Sequence, residues 1–496
     1  MVTNINRPNI LWYCTDQQRH DTIRCLGNQY INTPNLDALC NEGIAFQNAY
    51  CQSPVCTASR ASFLTGRYPA SHHVHRNGNE YFEPTETLVT KILSDAGYDC
   101  GLIGKLHLSR AQILETRLKN DGYRYYKWSH HPNPDYPQGH DYDDWLRKEK
   151  GVNPPELYGK IEGSVGPGVP EELHQATWCT EMAIRFIDEK RNGPWLLSIN
   201  PFAPHPPFDP PKEYLDRYDP SKLPMPLFRE SDIENQKKFR DIYQQAREAV
   251  SPYKAKELKD TTTKVARGAL GATAPTGYDP QLVKACYYAN IEVLDTQFGR
   301  IVEKLKSSGE YENTIIIYTS DHGELLGDHG LIYKGCRFYE ALTHIPLIIS
   351  WPARGLRGQL SKALVELVDL APTILEAAGI EIPYNMQGKT LLPMMTGKAG
   401  IDYHKDSVIC EYNDAIDSKG ATSYTHGVMY LDKQYKVCIY RGQNIGEIYD
   451  LEKDRGEFDN LWNNKSFTEK KAELLHKAMM SYMATSDAGI KRTHPY

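Results

Sequence analysis

The sequence predicts an α/β protein: a large, mostly parallel sheet sandwiched by helices, followed by a smaller antiparallel sheet and a closing helix. Three observations predict it. Short apolar runs alternate with amphipathic stretches along most of the chain, the pattern of βαβ units stacked into a parallel sheet. Polar residues sit directly after those runs, at the carboxyl ends of strands where such sheets bind their ligands. After about residue 385 the texture changes to short strands joined by tight turns.

The elements follow in order. "NILWYCT" (9–15) is nearly continuous apolar sequence, as expected of a strand buried on both faces. "TPNLDALCNEG" (33–43) reads as a helix, with Pro34 at a first helical position, Leu36 and Leu39 on one stripe and Gly43 as the stop. The apolar stretch after Cys56 reads as a short helix, "TLVTKILSDAG" (87–97) as another and "YDCGLIGK" (98–105) as a strand. "PWLLSINPFAPHPPF" (194–208) is a strand that breaks into a Pro-rich loop. Residues 209–280, rich in Lys, Glu, Asp and Pro, read as a surface excursion with helical stretches near 230–250. A long amphipathic helix covers 287–309, and strands cover 313–323 and 345–352. "GVMYLDKQYKVCIY" (427–440) and "GEIYDLEKD" (446–454) read as antiparallel strands, and "TEKKAELLHKAMMSYM" (468–483) as the closing helix.

The whole-chain numbers exclude some classes. A net charge of −6 speaks against a general nucleic-acid binder or an acidic-membrane binder, so an anionic substrate needs a local basic pocket. No apolar run is long enough to span a bilayer. The start, "MVTNINRPNILWYCTD", lacks the pattern of a secretory signal, which predicts a cytoplasmic protein, or a periplasmic or secreted one if a leader has been removed. The 11 cysteines are scattered without a CxxC pair, which predicts reduced thiols and neither a zinc site nor a disulfide framework.

Two strand ends carry carboxylates: "CTDQQRHD" presents Asp16 and Gln17, and "TSDHGELLGDHG" presents Asp321 and His322. A hard divalent cation takes several oxygen ligands, and an imidazole leaves room for a softer ion. An Asp after a strand is also a common helix N-cap, and it is the second pair that argues for a metal. Cationic or titrating groups lie at Arg60, Lys105, His107, His205 and Lys334. Cations around one site would neutralise a tetrahedral anion and the charge that develops on transfer, and a His could protonate a leaving oxygen. That chemistry suits a sulfuryl or phosphoryl ester. Cys56, in "SPVCTASRASFLTG", could be a core cysteine, a thiol nucleophile, a metal ligand or the precursor of another group.

"CTASRASFLTGRYP" resembles the signature of type I sulfatases, Cys-x-Pro/Ala-x-Arg followed by an apolar helix and Thr-Gly-Arg. "RPNILWYCTDQQRHD", "TPNLDALCNEGIAFQNAY", "GKLHL", "PHPPF", "YTSDHGELLGDHG", "YKGCRFYEALTHIPLII", "MQGKTLLPMMTG" and "GEIYDLEKDRGEFDNL" resemble family blocks in the same order. The resemblance implies an alkaline-phosphatase-like fold, with a catalytic domain over 1–384 and a C-terminal α+β subdomain over 385–496. It implies conversion of Cys56 to formylglycine by a maturase, with the hydrate as nucleophile and Arg60 in the modification signal. It further implies one divalent cation, Ca²⁺ ahead of Mg²⁺ or Mn²⁺, held by Asp16, Gln17, Asp321, His322 and the diol from Cys56. Lys105 and Lys334 would grip the sulfate, His205 would serve the leaving oxygen and His107 would take the second diol proton.

Two positions depart from the common pattern: Ala58 stands for Pro, and Gln17 for a second Asp. The Asp-Gln with Asp-His set also resembles phosphonate and phosphodiester hydrolases of the same superfamily, the alternative reading. Lys105 with His107 favours the sulfatase. A third reading, an inactive binder of sulfated ligands, would have to lack one of these residues, and each is present. The expected substrate is a sulfated saccharide or small sulfate ester. The stretches 71–84 and 123–145 and Arg337 are nominated as its specificity determinants.

Overall fold

The computed structural model describes residues 7–111, 114–132, 140–161, 165–240, 242, 248–257, 279–413, 425–442 and 445–494. The large sheet is built from β1 (Asn9–Thr15), β2 (Ile44–Tyr50), β3 (Asp99–Gly104), β4 (Tyr123–Trp128), β5 (Trp195–Asn200), β6 (Thr314–Ser320), β7 (Leu347–Ser350) and β8 (Gln359–Glu366). Their spatial order is β4-β3-β5-β1-β6-β7-β2-β8. All neighbours pair in parallel except β7, which is antiparallel to both β6 and β2.

The central strands are buried on both faces. Alternate residues of β1 and β6 feed two cores: Ile10, Trp12, Ile315 and Ile317 on one side, Leu11, Tyr13, Ile316 and Tyr318 on the other. That is the period-two side-chain alternation of a strand applied to a nearly all-apolar run. Helices Cys56–Thr65 and Leu370–Ala377 cover the first side through Phe63, Leu64 and Ile374. Helices Gln175–Asp188 and Pro280–Ser308 cover the second through Trp178, Phe186, Phe298 and Ile301.

The smaller sheet comprises β9 (Val408–Asn413), β10 (His426–Leu431), β11 (Tyr435–Arg441) and β12 (Ile445–Asp450), antiparallel in the order β12-β11-β10-β9. The helix Thr468–Met483 lays Leu474 and Ala478 against Tyr430, Val437 and Ile448 of this sheet.

Several expectations are corrected. The long helix begins at Pro280, not near 287, because Asp279 caps it by accepting from the backbone N–H groups of Gln281 and Leu282. The stretch 209–280 is more than a surface excursion: Asp232, Gln236 and Phe239 are buried, and Phe239 packs edge-on against Tyr440 of β11. Residues 241, 243–247 and 258–278 of that stretch lie outside the described ones. Tyr123–Trp128, nominated as part of a specificity stretch, is the edge strand β4. Strands β2, β8 and β9 were not anticipated. In "IAFQNAY" a register shift between Phe46 and Asn48 breaks the alternation that would have announced a strand. One cysteine pair forms where free thiols were expected, Cys25 with Cys40.

Candidate active site

Four neighbouring parallel strands deliver the polar residues to one place. Asp16 and Gln17 follow β1, Asp321 and His322 follow β6, Lys105 follows β3, and the loop carrying His205 follows β5. That loop is tied to β1 by the Asp16 N–H, which donates to the Ala203 carbonyl at 3.4 Å. Cys56 enters from a fifth element as the first residue of helix Cys56–Thr65. A helix N-terminus carries positive partial charge, so an anion formed at residue 56 is favoured there.

Among the described residues, the donor atoms of Asp16, Cys56, Asp321 and His322 all lie within 4.8 Å of one another, and all four residues are buried. Cys56 Sγ is 3.6 Å from Asp16 Oδ1 and 3.1 Å from His322 Nε2. Two ammonium groups converge on the same sulfur: Lys334 Nζ at 2.9 Å and Lys105 Nζ at 3.4 Å. Lys105 also donates to Asp16. Lys334 Nζ lies 2.8 Å from Gln17 Oε1 and 3.3 Å from His322 Nε2. Behind them, Arg60 Nε donates to Asp321 Oδ2 at 2.8 Å and its Nη1 to the Lys105 carbonyl at 2.9 Å. Two carboxylates, an imidazole nitrogen and an amide oxygen in this arrangement fit the donor set of one divalent cation.

The electrostatics follow from burial and these contacts. Burial and the Asp16 charge push the Cys56 thiol up, but Lys105, Lys334 and His322 together outweigh them and bring it down to about 5. Burial also opposes the charged form of Asp16, and the Lys105 and Arg60 cations override it, so the carboxyl stays well below its ordinary value. His107 and His205 go the other way. Burial, then Lys105 and Arg60, hold His107 well below its usual range; burial, then Lys334, do the same to His205. Both imidazoles are therefore neutral near neutral pH. His205 Nδ1 lies 2.7 Å from the Pro206 carbonyl and, as the neutral donor, leaves Nε2 as the free acceptor.

Backbone strain marks the same place. Gln17, His107 and Tyr333, the neighbour of Lys334, have φ of 68°, 56° and 71°. Non-glycine residues in the left-handed region cost of order 1–3 kcal/mol each and persist where the surroundings over-determine them. At Gln17 the N–H donates to Asp321 Oδ1 at 3.0 Å and the carbonyl accepts from Tyr287 Oη at 2.6 Å. At His107 the buried Glu115 accepts from the backbone N–H groups of His107, Leu108 and Ser109 and from Trp128 Nε1.

The residues singled out in the sequence as catalytic or metal-holding lie in or around this cluster, and three more belong with them. Glu324 accepts from the Gln17 amide, Asn77 Oδ1 accepts from the Thr57 N–H at 3.0 Å, and Glu115 shapes the turn at His107. Glu324 stood inside a quoted stretch and Asn77 inside the nominated stretch 71–84; Glu115 sits in ordinary polar sequence with no signal. Arg337, nominated for specificity, is buried instead, with Nε on Gln236 Oε1 at 2.7 Å and its guanidinium 3.7 Å from the Phe239 ring centroid. Of the stretch 123–145, His130 and His131 do reach the site: His130 meets His107 at 4.5 Å between ring centroids and His131 meets Phe202 at 4.7 Å. Residues 133–139 lie outside the described ones.

The family model described as Sulfatase matches residues 8–380, three quarters of the chain. The chain belongs to the sulfatase family. A second model, N-sulphoglucosamine sulphohydrolase, C-terminal, matches residues 327–484. The chain is 30% identical over 500 residues to an arylsulfatase of Clostridium perfringens, covering 97% of this chain and 96% of that one. It is 28% identical over 507 residues to an N-acetylglucosamine-6-O-sulfatase of Bacteroides thetaiotaomicron, covering 95% and 85%. In fold it matches a phosphonate monoester hydrolase from Silicibacter pomeroyi, with a TM-score of 0.79 at 24% identity over 97% of this chain and 96% of that one. It also matches an enzyme solved in complex with its substrate D-glucosamine-2-N,6-O-disulfate, with a TM-score of 0.72 at 22% identity over 99% and 100%. The protein is thus a sulfatase, a hydrolase of sulfate esters, with the alkaline-phosphatase-like fold. Among its described residues no helix is long and apolar enough to cross a membrane.

Proposed function

We propose that this sulfatase hydrolyses sulfate esters of a saccharide with formylglycine, made from Cys56, as the nucleophile and one divalent cation, Ca²⁺ ahead of Mg²⁺ or Mn²⁺, in the site. The observation that carries the reading is the convergence of Lys105 and Lys334 on the Cys56 sulfur, with Arg60 behind. Once Cys56 becomes a neutral aldehyde, three cationic side chains face the two carboxylates Asp16 and Asp321, and the surplus is positive. A sulfate group bound over residue 56 would receive both ammonium groups, which is the preorganised charge that lowers a transfer barrier.

When bound, the cation neutralises charge on the sulfate and eases ionisation of the attacking hydroxyl. Asp16, Gln17, Asp321 and His322 would hold it. His107, kept neutral by burial and by Lys105, can accept the second diol proton, so that the sulfate leaves by elimination and the aldehyde is regenerated. His205, also neutral, has to gain a proton before it can serve the leaving oxygen. An arriving sulfate supplies the opposite charge that raises its proton affinity. We take residues 1–384 as the catalytic unit and 385–496 as the C-terminal subdomain, a division supported by the two separate sheets.

The other reading, a phosphonate or phosphodiester hydrolase, draws on the Gln17 and His322 donor set and on the fold match. Rates with nitrophenyl sulfate, phosphate and phosphonate esters and with a panel of sulfated saccharides separate the two. The expected order places a sulfated saccharide first; a clear kcat/KM preference for the phosphonate ester would sink the proposal. Mass spectrometry of the peptide carrying residue 56 checks the maturation: full turnover from protein with unmodified Cys56 would remove the formylglycine mechanism.

A further inference from the structure

Glu324 has no part in the reaction just described, yet its side chain is fully buried against the site. One carboxylate oxygen accepts from the backbone N–H groups of Leu326, at 3.0 Å, and Tyr333. The other accepts from Nε2 of Gln17. At the opposite end of the same amide, Gln17 Oε1 accepts from Lys334 Nζ at 2.8 Å. An ammonium only donates and a carboxylate only accepts, so these two partners define which end of the amide is nitrogen and which is oxygen. The oxygen faces the side where Lys334 Nζ also meets Cys56 Sγ and His322 Nε2. The backbone of Gln17 is clamped on both sides by Asp321 and Tyr287, which leaves the side-chain torsions as its remaining freedom.

A carboxylate at position 17 would present an oxygen to a cation whichever way it turned. An amide does not: rotated by half a turn it presents two N–H donors, which repel a cation. We propose that Glu324 is the positioning residue for Gln17: it holds the amide with its carbonyl oxygen toward the cation, and it keeps behind the ligand the negative charge that an aspartate there would have placed in contact with the ion. Partners behind metal ligands orient them and tune their basicity, and their loss costs about 10–100-fold in affinity. The inference rests on the metal-dependent reading above.

The test is calcium titration calorimetry on the full chain freed of metal by a chelator. It compares wild type, Glu324→Gln, and the exchange of the pair, Gln17→Glu with Glu324→Gln. Glu324→Gln keeps the oxygen that serves Leu326 and Tyr333 but turns an NH₂ toward Gln17, forcing that amide to flip. Expected is a loss of calcium affinity of about 10–100-fold. In the exchanged pair the carboxylate at position 17 accepts from the amide at position 324 and has no wrong face, so affinity should return to within about 3-fold of wild type. Wild-type affinity in Glu324→Gln, or an exchanged pair as weak as that variant, overturns the proposal while leaving the metal centre standing. A wild type that binds no calcium, magnesium or manganese overturns the metal centre itself. If circular dichroism shows Glu324→Gln unfolded, the exchanged pair decides alone: folded and within about 3-fold supports the proposal, whereas weaker binding or failure to fold overturns it.

Discussion

Two buried clusters in this molecule bring lysines and carboxylates together, and they are built on opposite plans. At the junction of the large and small sheets, Lys405 lies between Glu366 and Asp369, at 2.5 and 2.6 Å. The remaining acceptor positions there are filled by the chain. Glu366 takes Tyr68 Oη at 2.5 Å, Gln52 Nε2 at 3.2 Å and the Ile409 N–H at 3.0 Å; Asp369 takes the Glu366 and Lys389 N–H groups at 3.0 and 2.8 Å. In the active site the cations exceed what the carboxylates use. Among the described residues, Arg60 Nη2 and His107 Nδ1 are buried without a hydrogen-bond partner, and both lysines point at residue 56. A cluster that closes on itself holds the fold; one that leaves donors aimed at a common point is prepared for an anion brought from outside.

Exchange of single residues should affect the two clusters differently. The largest effect is expected for Cys56→Ala, which should lower turnover of a sulfate ester by at least about 10⁴-fold, the scale of losing a nucleophile. Its melting temperature should stay close to that of the parent; a variant with substantial residual turnover would mean that residue 56 is not the nucleophile. Next, Lys105→Ala should cost about 10²–10³-fold in kcat/KM for a sulfate ester, as removal of one preorganised donor does. Phosphonate-ester turnover should fall less. Equal losses on both esters would remove Lys105 as the basis of selectivity.

In the junction cluster the effects should fall on stability alone. Lys405→Met leaves Glu366 and Asp369 buried without their shared cation. Chemical denaturation should show a loss of about 3 kcal/mol, the scale of breaking a buried ion pair from one side, with kcat unchanged in the folded protein. A drop in kcat would mean that the two clusters are coupled.

The smallest effect is a pH dependence. Burial opposes the charge on Asp369, but Lys405 and His404 overcome it and lower the carboxyl from 3.8 to about 2. A lowered acid contributes stability at pH values above its unfolded value and loses it as the pH falls, because the unfolded chain takes up the proton first. Asp369 should therefore contribute about 2 kcal/mol that disappears between about pH 4 and pH 2. Denaturation midpoints measured across that window should be flatter in Asp369→Asn; an unchanged slope would assign the acid sensitivity elsewhere.

How much could be read from the residues alone varied with the length of the physical signal. β1, β3, β5 and β6 were legible because a strand buried on both faces must be a continuous apolar run, and "NILWYCT" and "NTIIIYT" are such runs. β4 was not, because "YRYYKW" lies at an open edge where charged and aromatic residues mix. Arg337 resembled a specificity residue because a lone arginine in sequence gives no sign that Gln236 and Phe239, about a hundred residues upstream in the chain, will enclose it.

The sequence by itself determined the chemistry available: two carboxylate-bearing strand ends, a cysteine in the sulfatase signature, and the lysines and histidines that accompany them. Those choices are local, since each depends on residue type at a strand end or a helix start. The tertiary structure decided which groups meet and in what state of charge. Strand order set β3, β5, β1 and β6 side by side, so that Lys105, His205, Asp16 and Asp321 share one site although they lie far apart in the chain. Burial then favoured neutral His107 and His205 while the neighbouring cations held Asp16 ionised, and it placed Glu324 behind Gln17. Desolvation and charge pairing act over a few ångströms of space, and neither is written in the spacing of residues along the chain.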